Sequence, residues 1–530
     1  MTRATTATER ASATAANTEP VPPGIGSRFR RIGTYSRFVL GLLAVPAAAE
    51  AHSFVQPYTL PVPFGLYLYG AAATLLLTFF VLAYFARPAT MAIAPAALAR
   101  RSASAQVPAW LVDALRAFAV GVLLLTLIAG FYGTRNPDAN IGMTLFWVIF
   151  VLGMTYATVL IGDVFAIINP WRTIADWLRL SDAGRGRVAY PQWLGYWPAL
   201  VAYVALIWIE LFALPKPSTL AIALLVYSGV TFAGVWLFGA DAWFRRGELF
   251  SVLLRLVGLL APLEYRMAPN GVVNVRTRPL FAGVLEGNER AGLHQATVSA
   301  GARSADGRSI SVLLFVLFML SSTTFDGMHE TLVWMNLFWK YLLHAFQPLW
   351  GTDLIASQRM LEHWYVAFQR AGLVLSPFIY LAVYMIVIAC MKAMTRTTMT
   401  VRELALAFAF TVLPIAIVYN MAHYWTLLLL QLPKLPYLVA DPFGAGWTLP
   451  GLGPPPAEPP PLDMAPIWNT EVMLIVGGHL VGVYLAHRVA LRVFDSRRAA
   501  LVSQLPMLVL MVVYTVLGLW VISQPLALER

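Results

Sequence analysis

The chain has 530 residues, of which 59% are apolar and 12% are charged. An average soluble domain carries roughly a quarter charged residues, so this composition excludes a water-soluble globular protein. The net charge is +11, but the arginines lie in short segments between apolar runs, which is typical of membrane orientation signals and not of nucleic acid binding. The single cysteine, Cys390, excludes an intramolecular disulfide and a thiolate metal cluster.

Residues 1–51 form the first predicted segment, a disordered region followed by a signal peptide or a retained anchor. The first 27 residues are rich in Ala, Thr and Pro, a composition typical of disorder. Four arginines between positions 28 and 37 precede an apolar stretch, 38–49, that is shorter than the ~20 residues of a spanning helix. Ala49-Glu50-Ala51 has the small-x-small pattern of a signal-peptidase site. We therefore predict cleavage and a mature chain that begins at His52.

Residues 52–530 are predicted to form one transmembrane domain, an all-α polytopic membrane helix bundle. Backbone polar groups cannot stay unpaired in lipid, and the alternating pattern of a β-barrel is absent, so each long apolar run is predicted to be a helix. Ten such runs lie near residues 61–86, 107–132, 141–168, 195–214, 218–239, 309–325, 366–393, 403–430, 469–490 and 502–523.

Basic residues alternate between the connections of these runs. If the mature chain starts outside, the inward connections hold 23 lysines and arginines and the outward segments hold six. Positive residues favour the cytoplasmic side. The sequence therefore predicts a multi-pass protein of the bacterial inner membrane, with the mature N-terminus and the C-terminus in the periplasm.

Three connections are long. Residues 240–308 form a predicted basic cytoplasmic region, in which the amphipathic stretch 249–263 is predicted to lie on the anionic inner leaflet. Residues 326–363 form a predicted periplasmic amphipathic segment rich in tryptophan and phenylalanine. Residues 432–468 form a predicted periplasmic proline-rich loop.

Two groups of charged residues receive structural interpretations. Asp113 and Arg116 are three residues apart and are predicted to form an ion pair on one helix face. After Asp163, we expect Pro170 to end the third helix and Trp171 with Arg172 to anchor it at the membrane interface.

Ionisable residues in the predicted outward half of the runs are candidates for function, because charged groups are costly to insert into a membrane. The candidates are Glu210, Asp326, His423 and His479, from four separate runs. Their nitrogen and oxygen atoms are of the kind that bind Zn²⁺ or a similar divalent ion. The alternative is that each histidine only forms a hydrogen bond across a helix interface. Gly477 and Gly478 are expected to let a neighbouring helix approach His479 closely.

His52 is a separate candidate. After cleavage at Ala51, its α-amine and imidazole would both be available, and nitrogen donors of this kind bind copper. The alternative interpretation is that His52 merely follows the cleavage site.

Several short motifs occur in a characteristic order between His52 and about Arg492. They are Ala51-His52 ahead of Pro61-Val62-Pro63, Gly162-Asp163-Val164 leading to Asn169-Pro170-Trp171-Arg172, Phe325-Asp326-Gly327, Ala422-His423-Tyr424, and Gly478-His479 followed by Leu485-Ala486-His487. With these motifs the chain resembles bacterial multi-pass membrane proteins labelled fenitrothion hydrolase. It departs from that family's pattern at His329, which the family does not fix, and at Arg488, where an acidic residue is usual.

The resemblance implies hydrolysis of an apolar organophosphorus triester that enters from the lipid. A bound divalent ion would supply hydroxide at neutral pH. In this hypothesis His423 and His479 hold the metal, Asp326 acts as ligand or base, and Glu210 orients the water. Two alternatives stay open: a transporter or permease that uses the buried histidines and carboxylates as a proton or metal relay, and a copper-handling membrane protein that collects the ion at His52.

Overall fold

A computed structural model of the protein describes residues 63–85, 104–181, 184–268, 271–285, 306–345, 358–447 and 462–524. In this part of the chain, ten helices are long and apolar enough to cross a membrane, so the predicted all-α polytopic bundle is confirmed. The first to tenth spans are Phe64–Tyr84, Ala109–Tyr132, Ile141–Ile161, Gln192–Phe212, Pro217–Phe238, Ile310–His329, Gln358–Thr395, Val401–His423, Met464–Val493 and Arg497–Ser523.

Three spans are composite. In the fourth, a 3₁₀ helix, Gln192–Leu194, precedes the α-helix Trp197–Phe212. In the third, an 11-residue π-helix, Thr144–Met154, lies between the α-helices Ile141–Met143 and Thr155–Ile161. In the eighth, a 3₁₀ turn joins the helices Val401–Phe408 and Leu413–His423. π-Helical turns within α-helices occur often at functional sites.

Shorter helices fill the connections. They are Pro137–Ala139, Phe165–Ile168, Pro170–Trp177, Ala240–Arg246, Leu249–Gly258, Leu332–Asn336, Leu337–Leu342, Leu343–Ala345, Trp425–Gln431, Leu432–Lys434 and Leu435–Ala440. The predicted loop 432–468 is therefore helical at its start, and its proline clusters lie outside the described residues, as do residues 1–62 with the predicted signal segment.

The sixth and eighth spans form the centre of the bundle. The most apolar window of the sixth is 89% buried and that of the eighth is 83% buried, whereas in the other spans the share is between 17% and 50%. The sixth span packs against the fourth, seventh, eighth and tenth, and the eighth packs against the ninth. Polar side chains on the two central spans must consequently find partners inside the protein.

A small antiparallel sheet, which the sequence did not predict, lies at one end of the bundle. It consists of β1 (Ser104–Val107), β2 (Leu263–Met267) and β3 (Val273–Thr277), in the order β1-β3-β2. Val273 is fully buried and packs with Val112 and Ile167. Strands of four or five residues give too short an alternation to stand out in an apolar sequence.

The predicted third run, 141–168, ends earlier than expected, at Ile161. Gly162 follows with a φ of +89°, and a Cβ there would lie 2.5 Å from the carbonyl oxygen of Leu263 in β2. The chain thus bends at a residue that only glycine can occupy without strain.

The third span does not reach Pro170, although the separate short helix Phe165–Ile168 ends just before it. Pro170 is the first residue of Pro170–Trp177, where the side chain of Asn169 accepts a hydrogen bond from the Arg172 backbone N–H. Trp171 is 1% exposed and donates to Ser228 Oγ at 2.8 Å, so it is a core residue and not an interfacial anchor. The predicted contact between Arg116 and Asp113 is present, with 3.8 Å between charged atoms.

The amphipathic stretch 249–263 does not lie on a membrane surface. In the helix Leu249–Gly258, all residues except Ser251 and Arg255 are buried within the protein. Its polar side faces a cavity lined by both residues, which explains an amphipathic pattern without a lipid interface.

The ninth span approaches the eighth closely at Gly478. A Cβ at this position would lie 2.1 Å from Cγ2 of Val418, whereas a Cβ at Gly477 would have no atom within 4 Å. Gly478 therefore allows the predicted close approach of a neighbouring helix, whereas Gly477 does not contribute to it.

This difference gives a stability test with an internal control. We expect Gly478→Ala to lower the stability of the protein by about 1–3 kcal/mol, because the methyl group overpacks a central helix contact. Gly477→Ala should leave stability unchanged or raise it by up to about 1 kcal/mol through helix propensity. Thermal unfolding of both variants in detergent measures the effect, and equal melting temperatures would contradict the packing.

Candidate functional site

Three spans that run in the same direction bring polar side chains together at their last residues. Glu210 lies near the end of the fourth span, Asp326 near the end of the sixth, and His423 is the last residue of the eighth. Tyr424 follows directly. We call these four residues the Glu210 cluster.

Asp326 is the centre of the cluster. Its Oδ2 atom lies 2.8 Å from Nε2 of His423 and 2.6 Å from the Tyr424 hydroxyl, and both contacts are hydrogen bonds. The same hydroxyl lies 3.0 Å from Oε1 of Glu210. A continuous chain of hydrogen bonds therefore runs from Glu210 through Tyr424 and Asp326 to His423, in partly buried surroundings.

The number of protons in this chain is constrained. A tyrosine hydroxyl has one proton and can donate to only one carboxylate at a time, while an ionised carboxylate only accepts. For both contacts of Tyr424 to be hydrogen bonds, one of the two carboxyl groups must itself be protonated. This geometry allows Glu210 and Asp326 to share one proton across the Tyr424 hydroxyl.

The imidazole of His423 has neighbours on more than one side. A Cβ at Gly327 would lie 3.3 Å from Cε1 of His423, so this glycine leaves room for the imidazole against the sixth span. Three residues earlier in each helix, Asn420 Nδ2 donates to Thr323 Oγ1 at 3.3 Å. Two successive polar contacts therefore fix the sixth and eighth spans against each other.

A cavity of about 270 Å³ adjoins one end of the hydrogen-bonded chain. Its polar lining includes Glu210, Tyr424 and Lys216, whereas Asp326 and His423 are not part of the lining. The third span contributes an apolar wall through its π-helix, with Trp147 and Leu152 among the lining residues. A mostly apolar cavity with a few polar groups is the usual form of a small-molecule site.

The predicted residues divide into two sets. Glu210, Asp326 and His423 are brought together, whereas His479 lies within the ninth span, where its Nδ1 contacts the carbonyl oxygen of Ile475 at 2.8 Å. His479 is 1% exposed, and its Nε2 has no hydrogen-bond partner in the part of the chain that the structure describes. No described contact joins it to the Glu210 cluster. His52 lies outside the described residues.

The described side chains do not form a metal site. No group of three or more His, Cys, Asp or Glu residues within the described ranges is placed to hold an ion together. Oδ2 of Asp326 already accepts two hydrogen bonds, from His423 and Tyr424. The divalent ion expected at His423 and His479 stays a prediction, and we derive no chemical step from it.

Two residues of the site were not identified from the sequence. Tyr424 belongs to the Ala422-His423-Tyr424 motif, but nothing in the sequence shows that its hydroxyl bridges two carboxyl groups. Lys216 was counted only as an outward basic residue, although its position six residues after Glu210 offered a signal. His329 packs on Phe325 and contacts its own helix at the Asp326 carbonyl, so its role is local.

Comparisons with protein-family models, with curated proteins and with solved structures give no significant match. The resemblance to fenitrothion hydrolase therefore has only the motifs of this chain to support it.

The shared proton can be detected by infrared spectroscopy. Glu210→Gln should weaken the C=O stretch of protonated carboxylic acids, because an amide brings its own N–H donor to Tyr424 and the bridge no longer needs a carboxyl proton. Glu362→Gln, which removes an exposed carboxylate, is the matched control and should leave this band unchanged. Identical spectra for Glu210→Gln and the unmodified protein would show that the proton is not shared.

Proposed function

We propose that this multi-pass membrane protein hydrolyses small apolar esters of the organophosphorus triester class in the cavity beside Glu210. The observation that carries the proposal is the placement of Glu210 and Tyr424. Both line the cavity, and both belong to a hydrogen-bonded chain that leads away from it to Asp326 and His423. A carboxylate at the wall of an apolar cavity with a proton path behind it is suited to general base catalysis.

In the proposed reaction, the shared proton first passes from Glu210 to Tyr424 while the Tyr424 proton passes to Asp326, which ionises Glu210. Glu210 then accepts a proton from a water molecule as the water oxygen forms a bond to phosphorus. The bond from phosphorus to the aryloxide oxygen breaks, and its electron pair leaves with the aryloxide. The pair Glu210 and Asp326 then carries one proton more than before the reaction. The proton is then released to solvent, where the aryloxide or the new phosphorus acid anion balances it.

Lys216 supports the same step through its charge. It lines the cavity and is part of the short connection between the fourth and fifth spans. Negative charge develops on the non-bridging phosphoryl or thiophosphoryl atom as water attacks, and a nearby ammonium group stabilises that charge. Asp138, also in the lining, has its own cation in Lys434 at 3.4 Å.

The membrane location fits the substrate class. Apolar triesters dissolve in lipid, and the cavity lies at the end of the bundle that the distribution of basic residues assigns to the outside. We infer a bacterial inner-membrane protein with this site on the periplasmic side.

The test is hydrolysis of a nitrophenyl phosphotriester by the purified protein in detergent. Glu210→Gln should lower kcat about 10²- to 10⁴-fold, the usual contribution of a general base, while Glu362→Gln retains the activity. If Glu210→Gln is as active as the unmodified protein, Glu210 is not the base. Activity that is lost on chelation and restored by Zn²⁺ would favour the metal-assisted alternative.

Proton-coupled transport is the second candidate. It is favoured by one observation, the hydrogen bonds that join Glu210 and Asp326 through Tyr424, since ionisable groups connected within the membrane form proton relays in transporters. Movement of a substrate across sealed vesicles with proton uptake, and without turnover in detergent, would support transport over hydrolysis.

A further inference from the structure

A second cavity, of about 500 Å³, lies at the opposite end of the same helices. Tyr196 and Val312, near the first residues of the fourth and sixth spans, are part of its lining. Glu210 and Asp326, near the last residues of these spans, belong to the Glu210 cluster. The two sites are therefore separate, and nothing in the proposed hydrolysis uses the second one.

Four arginines from four different elements line this second cavity, which we call the arginine cavity. Arg172 comes from Pro170–Trp177, Arg245 from Ala240–Arg246, Arg255 from Leu249–Gly258, and Arg278 follows β3. Long-range folding is required to bring them together, because they span more than 100 positions of the chain.

The carboxylates in the lining do not balance these charges. Asp241 pairs with Arg172 at 2.9 Å, and Glu264 pairs at 3.1 Å with Arg266, which lies outside the lining. Arg245 and Arg255 belong to neither of these pairs, and the lining holds one further carboxylate, Asp163.

That remaining carboxylate supplies at most one negative charge. Burial raises the pKa of Asp163 to about 6, against the lowering effect of the Arg255 charge. Its Oδ1 already accepts a hydrogen bond from the Ala166 backbone N–H at 3.0 Å. The cavity therefore keeps an excess of positive charge at neutral pH.

The arginines also differ in how firmly they are held. Arg278 donates to the backbone carbonyls of Ala261 and Gly258, which fixes its guanidinium in the wall. The guanidinium of Arg255 lies 5.9 Å from the centroid of the Tyr196 ring. Neither Arg255 nor Arg245 has an ion-pair partner in the part of the chain that the structure describes. Both guanidinium groups have donors available for a ligand.

We propose that the arginine cavity binds an anionic phosphate group, with Arg245 and Arg255 as its main ligands. Guanidinium groups match the geometry of phosphate oxygens and bind them with charge-assisted hydrogen bonds. Asn169 and Ser251 also line the cavity and add neutral polar groups. The phosphate belongs either to a soluble phosphate compound or to the headgroup of an anionic phospholipid.

The experiment measures the melting temperature of the full-length protein in neutral detergent with two probes. One arm adds sodium phosphate against sodium chloride of equal ionic strength, and the other adds phosphatidylglycerol against phosphatidylcholine. A ligand that binds only the folded state raises the melting temperature. A rise with phosphate assigns a soluble ligand, and a rise with phosphatidylglycerol alone assigns a lipid headgroup.

Variants then locate the site. Arg245→Gln and Arg255→Gln should each weaken the response, with the probe concentration for half of the effect rising about tenfold or more. Arg498→Gln removes an exposed arginine that does not line the cavity and should respond like the unmodified protein. Arg245 is exposed, so its replacement keeps the test valid even if Arg255→Gln fails to fold.

The proposal is overturned if neither probe raises the melting temperature above its control, or if Arg245→Gln responds like the unmodified protein. Because the site is remote from Glu210, loss of phosphate binding and loss of hydrolysis are distinguishable outcomes in the same preparations.

Discussion

The absence of water inside a membrane determines how the polar residues of this protein are arranged. An unpaired polar group in hydrocarbon costs several kcal/mol, so a carboxylate on an enclosed helix must find hydrogen-bond donors on its neighbours. Asp326 lies on the most enclosed span, and it obtains two donors from the end of the eighth span, His423 and Tyr424. This pairing fixes the two central helices and creates the bridge to Glu210. The candidate site thus forms where the most enclosed carboxylate of the sixth span obtains its hydrogen-bond donors.

The two cavities lie at opposite ends of the same helices and differ in the charge of their linings. At one end, carboxyl groups and a tyrosine share protons next to a mostly apolar cavity. At the other end, the small sheet and the short helices after the third and fifth spans place four arginines around a larger cavity. The stretch 249–263 illustrates why the second site was not expected: its amphipathic pattern predicts a membrane surface, but its polar residues face a cavity within the protein. An amphipathic pattern shows that a helix has two environments and does not identify either of them.

The candidate residues show how far sequence reasoning extends. Glu210, Asp326 and His423 could be selected because charged residues are rare in apolar runs, and the structure brings these three together. His479 met the same criterion, yet its only described hydrogen bond is to the carbonyl of Ile475 in its own helix. Tyr424 could not be selected, since tyrosine is common in membrane helices and its importance depends on the position of its hydroxyl between two carboxyl groups. Rarity of a residue type is visible in a sequence, whereas the distance between helices is not.

The sequence by itself determined the ten membrane-crossing helices of the described residues, because the thickness of the bilayer requires long apolar runs whatever their neighbours are. It also determined which residues are costly to bury. Only the tertiary structure decided which of them meet, because this depends on how the helices pack side by side. The eighth span packs closely against Gly478 and not against Gly477, and the chain bends at Gly162, next to β2. The proton bridge at Tyr424 and the arginine cavity both arise from such contacts between distant parts of the chain.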